Sequence, residues 1–173
     1  MTSTTVAALA PLLEKIGRHI GAQHVLTAPG DTAAYLREER GLYDGRTPAV
    51  LRPGSHEDVL AVLRLCTTHR VAVVPYGGGT SVVGGLVPAT LGWVALDLGR
   101  LDRLVSIDAV SRIAVLEPGL RAPAAEALLA EHGFTLGHFP QSFEYASIGG
   151  FAATRSSGQF SAGYGRFDDM VVA

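Results

Sequence analysis

Five glycines within eleven residues, in PYGGGTSVVGG from Pro75 to Gly85, form the segment that most restricts what this chain can fold into. They directly follow the apolar run VAVV at 71–74, which predicts a strand buried on both faces. A turn without Cβ atoms lets backbone N–H groups converge on an anion, because positive φ angles are open to glycine. The segment therefore predicts either a phosphate- or pyrophosphate-binding turn or a bend required only by packing.

The elements before the turn predict a parallel βαβ unit. Residues 49–51 and 71–74 have strand patterns, and Ser55 is a suitable N-cap for a helix between them. One face of that helix should carry its apolar positions, which are Val59, Val62, Leu63 and Cys66. The turn then lies at the carboxyl end of the second strand, the sheet edge where open α/β folds bind ligands.

Elements on either side complete the predicted organisation. A helix over 6–20, ended by Gly21, precedes a polar stretch at 28–48 that is either a linker or a segment draped over a surface. After the turn we expect a strand, a hairpin with its bend at Asp108 to Ser111, and a short helix, at residues 93–98, 105–119 and 122–133. Met170 to Ala173 has the pattern of the first residues of a buried strand, which predicts a C-terminally incomplete domain.

Composition removes several classes of function. A net charge of −2 gives no basic surface for nucleic acid, and the single Cys66 allows neither an internal disulfide nor a cysteine-based metal cluster. No apolar run reaches membrane-spanning length and no cleavable signal pattern is present, so we expect a soluble cytoplasmic chain without a metal site. We expect Cys66 to be a buried structural thiol, since it lies in an apolar helical pattern.

Two familiar nucleotide motifs do not fit the turn. A Walker A loop needs a lysine after its last glycine, and Lys15 is the only lysine of the chain. The dinucleotide fingerprint G-x-G-x-x-G matches at Gly77 and Gly79 but has Val82 in its last place, and the turn follows the second strand of its unit rather than the first. A P-loop is thereby excluded and an NAD site is disfavoured.

A second polar region lies near the carboxyl end. Residues 138–147 and 154–158 supply hydroxyls, an amide, a guanidinium and backbone donors. Such groups suit a ligand with a phosphate at one end and a polar ring at the other, although serine and threonine in loops are also ordinary turn formers.

Five motifs occur in a characteristic order: PYGGGTSVVGG, LDLGRL, GHFPQSFEYASIGG, ATRSSG and YGRFDDMV. Together they closely resemble the FAD-binding domain of the vanillyl-alcohol oxidase / p-cresol methylhydroxylase (PCMH-type) family, and most of all its alkylglycerone-phosphate synthase branch. The resemblance implies an α+β fold, in which a small parallel βαβ subdomain is followed by a mixed or antiparallel one. It also implies a helix and linker over 1–46, and over 47–173 the N-terminal part of the FAD-binding domain, with the substrate cap domain absent.

The resemblance implies three FAD-binding segments. The first wraps the pyrophosphate and comprises Pro75, Tyr76, Gly77, Gly78, Gly79, Thr80 and Ser81. The second comprises Gln141, Ser142, Phe143, Glu144, Tyr145, Ala146 and Ser147, with Gly150 shortly after it. The third comprises Thr154, Arg155, Ser156 and Ser157, followed by Gly158.

Five positions refine the site that the resemblance implies. Gln141 and Ser147 replace an aspartate and a threonine that are usual in the family, so Gln141 offers an amide in place of a carboxylate. Thr80 stands where relatives with covalent flavin often have a histidine, so noncovalent FAD is expected. His138 matches a histidine near the family's active site and is the catalytic candidate, with loop anchoring as the alternative. Asp97, at a strand end, is expected to support the turn rather than to touch the cofactor.

The activity implied by the resemblance is exchange of the acyl chain of an acyl-dihydroxyacetone phosphate for a fatty alcohol, a step in ether-lipid formation. The expected partners are FAD and a small-molecule or lipid-phosphate substrate, with peripheral membrane association and a homodimer as further expectations. Two alternatives stay open: an FAD-dependent oxidase or dehydrogenase of D-2-hydroxy acids such as lactate or glycolate, and a non-catalytic nucleotide-binding module. We expect the 173-residue chain by itself to be inactive.

Overall fold

The computed structural model describes residues 3–38, 40–42, 45–87 and 92–172. The chain divides into two compact units, residues 1–100 and 101–173. Within the described ranges, no helix is both long enough and apolar enough to cross a membrane.

The first unit contains a four-stranded sheet with helices on it. Its helices are α1 (Ser3–Ile20), α2 (Pro29–Thr32) and α3 (His56–Thr68), with 3-10 turns at Ala22–His24 and Ala33–Leu36. Its strands are β1 (Val25–Leu26), β2 (Val50–Leu51), β3 (Ala72–Tyr76) and β4 (Trp93–Asp97). The strand order is β1-β2-β4-β3, in which β1 is antiparallel to β2, and β4 is parallel to both β2 and β3. The predicted βαβ unit is confirmed, with β4 inserted between its two strands.

Local signals determine where the two long helices begin and end. The helix α1 ends at Ile20, and Gly21 follows with a φ of 89°, as its position predicted. The side chain of Ser55 caps α3, because its Oγ accepts from the Asp58 amide at 3.0 Å. On α3 the predicted burial is confirmed for Val62 and Cys66. The prediction is wrong for Leu63, whose exposed fraction is 41%. Burial raises the pKa of the Cys66 thiol, in agreement with a structural role.

The two faces of the sheet follow the alternation of the strands. Val94 and Leu96 of β4 face a core cluster that includes Ile16 of α1 and Val62 of α3. The alternate residues of the same strand, Trp93 and Ala95, face the opposite side of the sheet and belong to a second cluster. That cluster also contains Leu26, Tyr35, Leu36, Val50 and Val74. The segment around Tyr35 is therefore draped over a sheet face, while residues 39, 43 and 44 of the predicted linker lie outside the described residues.

The burial expected for the strand before the glycine turn is wrong. In β3, Ala72 and Pro75 are exposed and the other three residues are half-buried. The physical reason is position, because β3 is an edge strand of this sheet, whereas every residue of the central strand β4 is buried. An apolar run alone does not distinguish these two positions.

The second unit begins with the predicted hairpin. Its elements are β5 (Leu104–Asp108), β6 (Ile113–Leu116), α4 (Ala122–Ala130), α5 (Ile148–Ala153), α6 (Ser161–Tyr164) and a 3-10 turn at Phe167–Met170. The strands β5 and β6 are antiparallel, and the Asp108 carboxylate accepts from the amides of Val110 and Ser111 at the bend. The mixed and antiparallel character expected for the fold is confirmed across the two units.

The end of the described chain differs from the expectation of a strand. Met170 belongs to the last 3-10 turn, and Val171 and Val172 are 46% and 75% exposed without strand pairing among the described residues. Ala173 lies outside the described residues. The apolar letters that suggested a buried strand do not form one here.

Candidate functional site

The glycine-rich turn starts where β3 ends, at the carboxyl edge of the first unit's sheet. Gly79 and Gly84 both have a φ of 73°, in the left-handed region that favours glycine. A Cβ atom at Gly79 would also overlap the phenol oxygen of Tyr76. The backbone conformation therefore favours glycine at position 79, and a side chain there would also have to displace the phenol of Tyr76.

The amides of this turn are available to a ligand. Among the described residues, no backbone or side-chain group accepts a hydrogen bond from the N–H groups of residues 78–83. Residues 78–81 are half-buried, whereas Val82 and Val83 are exposed. Backbone donors without an internal acceptor are suited to binding a phosphate or pyrophosphate.

A row of side chains lies at the same sheet edge as the turn. Tyr76 pairs with Asp97 in the register of β3 and β4, and Arg52 follows β2 directly on the other side of β4. The Asp97 carboxylate accepts from Arg52 Nε at 3.2 Å, from the Tyr35 hydroxyl at 2.7 Å and from the Gly99 amide at 2.8 Å. Asp97 is only 7% exposed, and these bonds are all internal to the protein. The supporting role expected for Asp97 stays a prediction, because these three bonds join it to Tyr35, Arg52 and Gly99 rather than to the turn.

The second predicted segment, in the other unit, divides into engaged and exposed residues. Ala146 and Ser147 are buried, and Ser147 Oγ accepts from the Gly150 amide at 3.3 Å as the N-cap of α5. Tyr145 is 70% exposed. The side chain of Arg121 donates to the carbonyl of Tyr145, which fixes the backbone there.

An open pocket of about 450 Å³ brings parts of the second and third segments together. Its lining consists of Phe139, Pro140, Gln141, Phe143, Ser157, Gly158 and Gln159. A Cβ atom at Gly158 would lie 2.9 Å from the carbonyl carbon of Phe139, so only glycine lets the two segments approach this closely. The Gln159 amide also donates to the Phe139 carbonyl at 3.1 Å. The pocket thus combines aromatic rings with amide and hydroxyl groups.

The third segment is held by an ion pair of Arg155. Arg155 has a φ of 52°, and its Nε lies 2.7 Å from Asp168 Oδ2. The hydrogen bond from Arg155 holds the pKa of the Asp168 carboxyl below its usual value, and Arg166 adds to this effect. The Arg155 side chain is 61% exposed, so its remaining N–H groups face solvent.

His138 is buried inside the second unit. It is 3% exposed, its Nε2 lies 3.0 Å from Ser156 Oγ, and its ring meets the edges of Phe151 and Phe167 at centroid distances of 4.8 and 5.1 Å. Burial lowers the pKa of the imidazole, which favours the neutral ring. The contact that His138 makes with the predicted site is therefore its bond to Ser156.

Several residues at these places were not predicted. Tyr35 and Arg52 join the Asp97 row, and Phe139 and Gln159 line the pocket. Arg52 could have been found, because it follows a strand at the edge where ligands bind. Tyr35 lacks any such signal, since its hydrogen-bond partner is 62 positions away in the sequence. No cluster of histidine, cysteine, aspartate and glutamate suited to a metal ion occurs in the described part of the chain.

Comparison with known proteins gives a consistent family. Residues 47–173 match the FAD binding domain family. The chain is 38% identical, over 79% of its length, to alkyldihydroxyacetonephosphate synthase of Trypanosoma brucei brucei, and 35% identical, over 72%, to the mitochondrial D-lactate dehydrogenase [cytochrome] of Arabidopsis thaliana. A solved structure of an alkyldihydroxyacetonephosphate synthase superposes with a TM-score of 0.87 at 27% identity over 94% of this chain.

This chain spans only part of each of these proteins. It covers 23% of the Trypanosoma synthase, 21% of the Arabidopsis dehydrogenase and 35% of the solved synthase chain.

The residues present fit the cofactor of this family. FAD contains a pyrophosphate, and the half-buried turn at 78–81 offers backbone amides that lack an acceptor among the described residues. The turn also carries no carboxylate that would repel an anion. Geometry, sequence match and structural likeness agree, and the chain belongs to the FAD binding domain family, of the PCMH type.

Proposed function

We propose that this chain is the FAD-binding portion of a flavoenzyme with alkylglycerone-phosphate synthase activity. Such an enzyme exchanges the acyl chain of an acyl-dihydroxyacetone phosphate for a fatty alcohol. The observation that carries the proposal is the similarity to the Trypanosoma synthase, which exceeds that to the dehydrogenase of Arabidopsis. The superposition on a solved synthase supports it further. A lipid-phosphate substrate belongs to the same proposal.

The turn is proposed to hold the pyrophosphate of FAD through the amides of residues 78–81. Backbone N–H groups suit this task because each carries a partial positive charge, and several of them can point at one anion. Thr80 and Ser81 add hydroxyl groups at the same place. Because position 80 is a threonine, we propose that FAD is held without a covalent bond.

Residues of the second unit are proposed to make further contacts to the cofactor. Gln141, Ser157 and Gln159 offer polar groups in the pocket, while Phe139 and Phe143 offer ring faces 5.1 Å apart between centroids. An apolar pocket with a few polar groups is the usual form of a cofactor site. We assign no role in substrate binding to these residues.

When bound, FAD supplies the electron-accepting centre, and the protein supplies binding, orientation and electrostatics. His138 is proposed to hold Ser156, and through it the segment 154–158, in place. This role uses the hydrogen bond between His138 Nε2 and Ser156 Oγ and the packing of the ring on Phe151 and Phe167.

A second candidate function is dehydrogenation of a D-2-hydroxy acid. It is supported by the similarity to the D-lactate dehydrogenase of Arabidopsis. The two functions differ in what happens to electrons, since acyl-to-alkyl exchange is redox neutral and dehydrogenation reduces the flavin.

The test uses the full-length protein that carries this chain, loaded with FAD. Under anaerobic conditions, D-lactate and glycolate should leave the visible absorbance of the oxidised flavin unchanged. The same preparation should incorporate a labelled fatty alcohol into the product when given acyl-dihydroxyacetone phosphate. Loss of the flavin absorbance with D-lactate, without incorporation of the alcohol, would replace the first function by the second.

A further inference from the structure

We propose that Tyr35 is a positioning residue for the cofactor turn, acting through Asp97 and Tyr76. The inference rests on the proposed binding of the FAD pyrophosphate by this turn. Tyr35 lies outside residues 47–173, the range that matches the FAD binding domain family. The segment before the matched range would thus take part in cofactor binding without touching the cofactor.

Tyr35 is held in place by the sheet and by Asp97. Its ring packs against the buried residues Val50, Trp93 and Ala95 on one face of the sheet. Its hydroxyl donates to Asp97 Oδ2 at 2.7 Å. Burial, followed by the bond to Asp97, raises the pKa of the Tyr35 phenol far above its usual value, so the hydroxyl keeps its proton and remains a donor.

The side chain of Asp97 is itself held by hydrogen bonds to both of its oxygens. Arg52 Nε donates to the same Oδ2 at 3.2 Å, and the Gly99 amide donates to Oδ1 at 2.8 Å. Arg100 in turn donates from its Nη1 to the carbonyl of Arg52 at 2.8 Å, which holds the backbone of the neighbouring strand end. A carboxylate bonded on both oxygens is a fixed point for the tyrosine.

Tyr76 connects Tyr35 to the turn. Its ring lies 4.6 Å from that of Tyr76, between centroids, with an angle of 60° between the planes. The phenol oxygen of Tyr76 in turn occupies the space beside Gly79 where a side chain would begin. The position of the Tyr35 ring therefore limits the position of the Tyr76 ring, and that ring limits the path of the backbone at Gly79.

The consequence is preorganisation of the turn. The preceding strand β3 lies at the edge of the sheet, and within the described ranges no group accepts a hydrogen bond from the amides of 78–83. The contacts of Tyr76 and Tyr35 are therefore an important source of order for the turn. Without the hydroxyl of Tyr35, the turn must be ordered by the cofactor at the moment of binding, and affinity falls accordingly.

The experiment measures FAD dissociation constants by fluorescence titration for Tyr35→Phe, Asp97→Asn and the double variant. Tyr35→Phe keeps the ring and removes the hydroxyl. Tyr164→Phe is the matched control, because Tyr164 is 76% exposed and lies in the other unit. Ser81→Asp tests the turn itself by adding a negative charge. Circular dichroism melts in the absence of FAD establish that each variant is folded at the assay temperature.

We expect Tyr35→Phe to weaken FAD binding about tenfold, which is the effect of one hydrogen bond. The double variant should bind no more weakly than the weaker of the two single variants, because Asp97→Asn removes the charged acceptor of the same bond that Tyr35→Phe removes. Tyr164→Phe should bind FAD as the parent does.

Other results overturn the inference in distinguishable ways. If Ser81→Asp weakens binding while Tyr35→Phe leaves it unchanged, the turn binds FAD but Tyr35 does not position it. A lowered melting temperature for Tyr35→Phe with unchanged affinity, or additive effects in the double variant, equally contradicts coupling through Asp97. If neither Ser81→Asp nor Tyr35→Phe weakens binding, the proposed pyrophosphate site fails together with the inference.

Discussion

At the scale of single residues, Gly79 shows how one missing side chain determines a binding turn. Its φ of 73° would cost another residue about 1–2 kcal/mol. The phenol of Tyr76 fills the space that a Cβ atom would need. These two constraints are independent, because the first concerns the backbone alone and the second concerns a neighbour.

Replacing Gly79→Ala should therefore affect more than stability. We expect a loss of about 1–2 kcal/mol in the free energy of unfolding from the backbone conformation. We also expect FAD affinity to fall by roughly tenfold or more, since either the turn or the ring of Tyr76 must shift to make room for the added Cβ atom. Urea unfolding and fluorescence titration measure the two effects separately.

The matched control is Gly41→Ala. Gly41 has a φ of 64° but nothing within 4 Å of the position of a Cβ atom. It should lose a similar amount of stability and keep its FAD affinity. Equal losses of affinity in both variants would show that backbone strain, and not the turn's contact with Tyr76, controls binding.

At the scale of elements, His138 links the loop before α5 to the segment after it. It contacts Ser156 by a hydrogen bond and packs on Phe151 of α5 and on Phe167 of the last 3-10 turn. Burial lowers the pKa of the imidazole below its ordinary value of 6.5, so the folded chain binds fewer protons here than the unfolded chain does.

This linkage predicts how the stability of the second unit depends on pH. Because the unfolded state takes up the extra proton, the free energy of unfolding should decrease as the pH falls below about 6.5. His138→Gln should flatten this decrease, whereas the exposed His132→Gln should not. Urea unfolding between about pH 5 and 8 measures the slope. A slope that is the same in the parent and in His138→Gln would contradict the assignment.

The elements could be predicted from sequence wherever the signal was local. Ser55 before an apolar helix, Gly21 after one, and the Asp108 bend of the hairpin each act within a few residues, and all three were predicted. The burial of β3 was not predicted correctly, because an edge strand and a central strand can have the same apolar sequence pattern. The pairing of β1 with β2 also went unseen, since two residues are too few to show a period.

The candidate site divides in the same way. The glycine turn was predictable because close approach of the backbone leaves a visible pattern in the sequence. Tyr35 was not, because its value lies in a bond to Asp97 that only the folded sheet brings within 2.7 Å. The place of Phe139 in the pocket lining was likewise not predictable, since it depends on the contact between the backbones of Phe139 and Gly158.

At the scale of the whole molecule, the chain consists of a sheet unit that carries the turn and a second unit that carries a pocket and two further predicted segments. The match to the FAD binding domain family covers all of the second unit and more than half of the first. FAD is therefore the ligand that we expect the chain to bind.

The most direct measurement is a titration of the purified chain with FAD, NAD and ATP, followed by the fluorescence of Trp93, its single tryptophan, and of the flavin. We expect saturable binding of FAD at one molecule per chain, without competition from NAD or ATP at equal concentration. Saturable binding of NAD or ATP, or the absence of any saturable FAD binding, would contradict the claim that the turn at 78–81 holds the pyrophosphate of FAD.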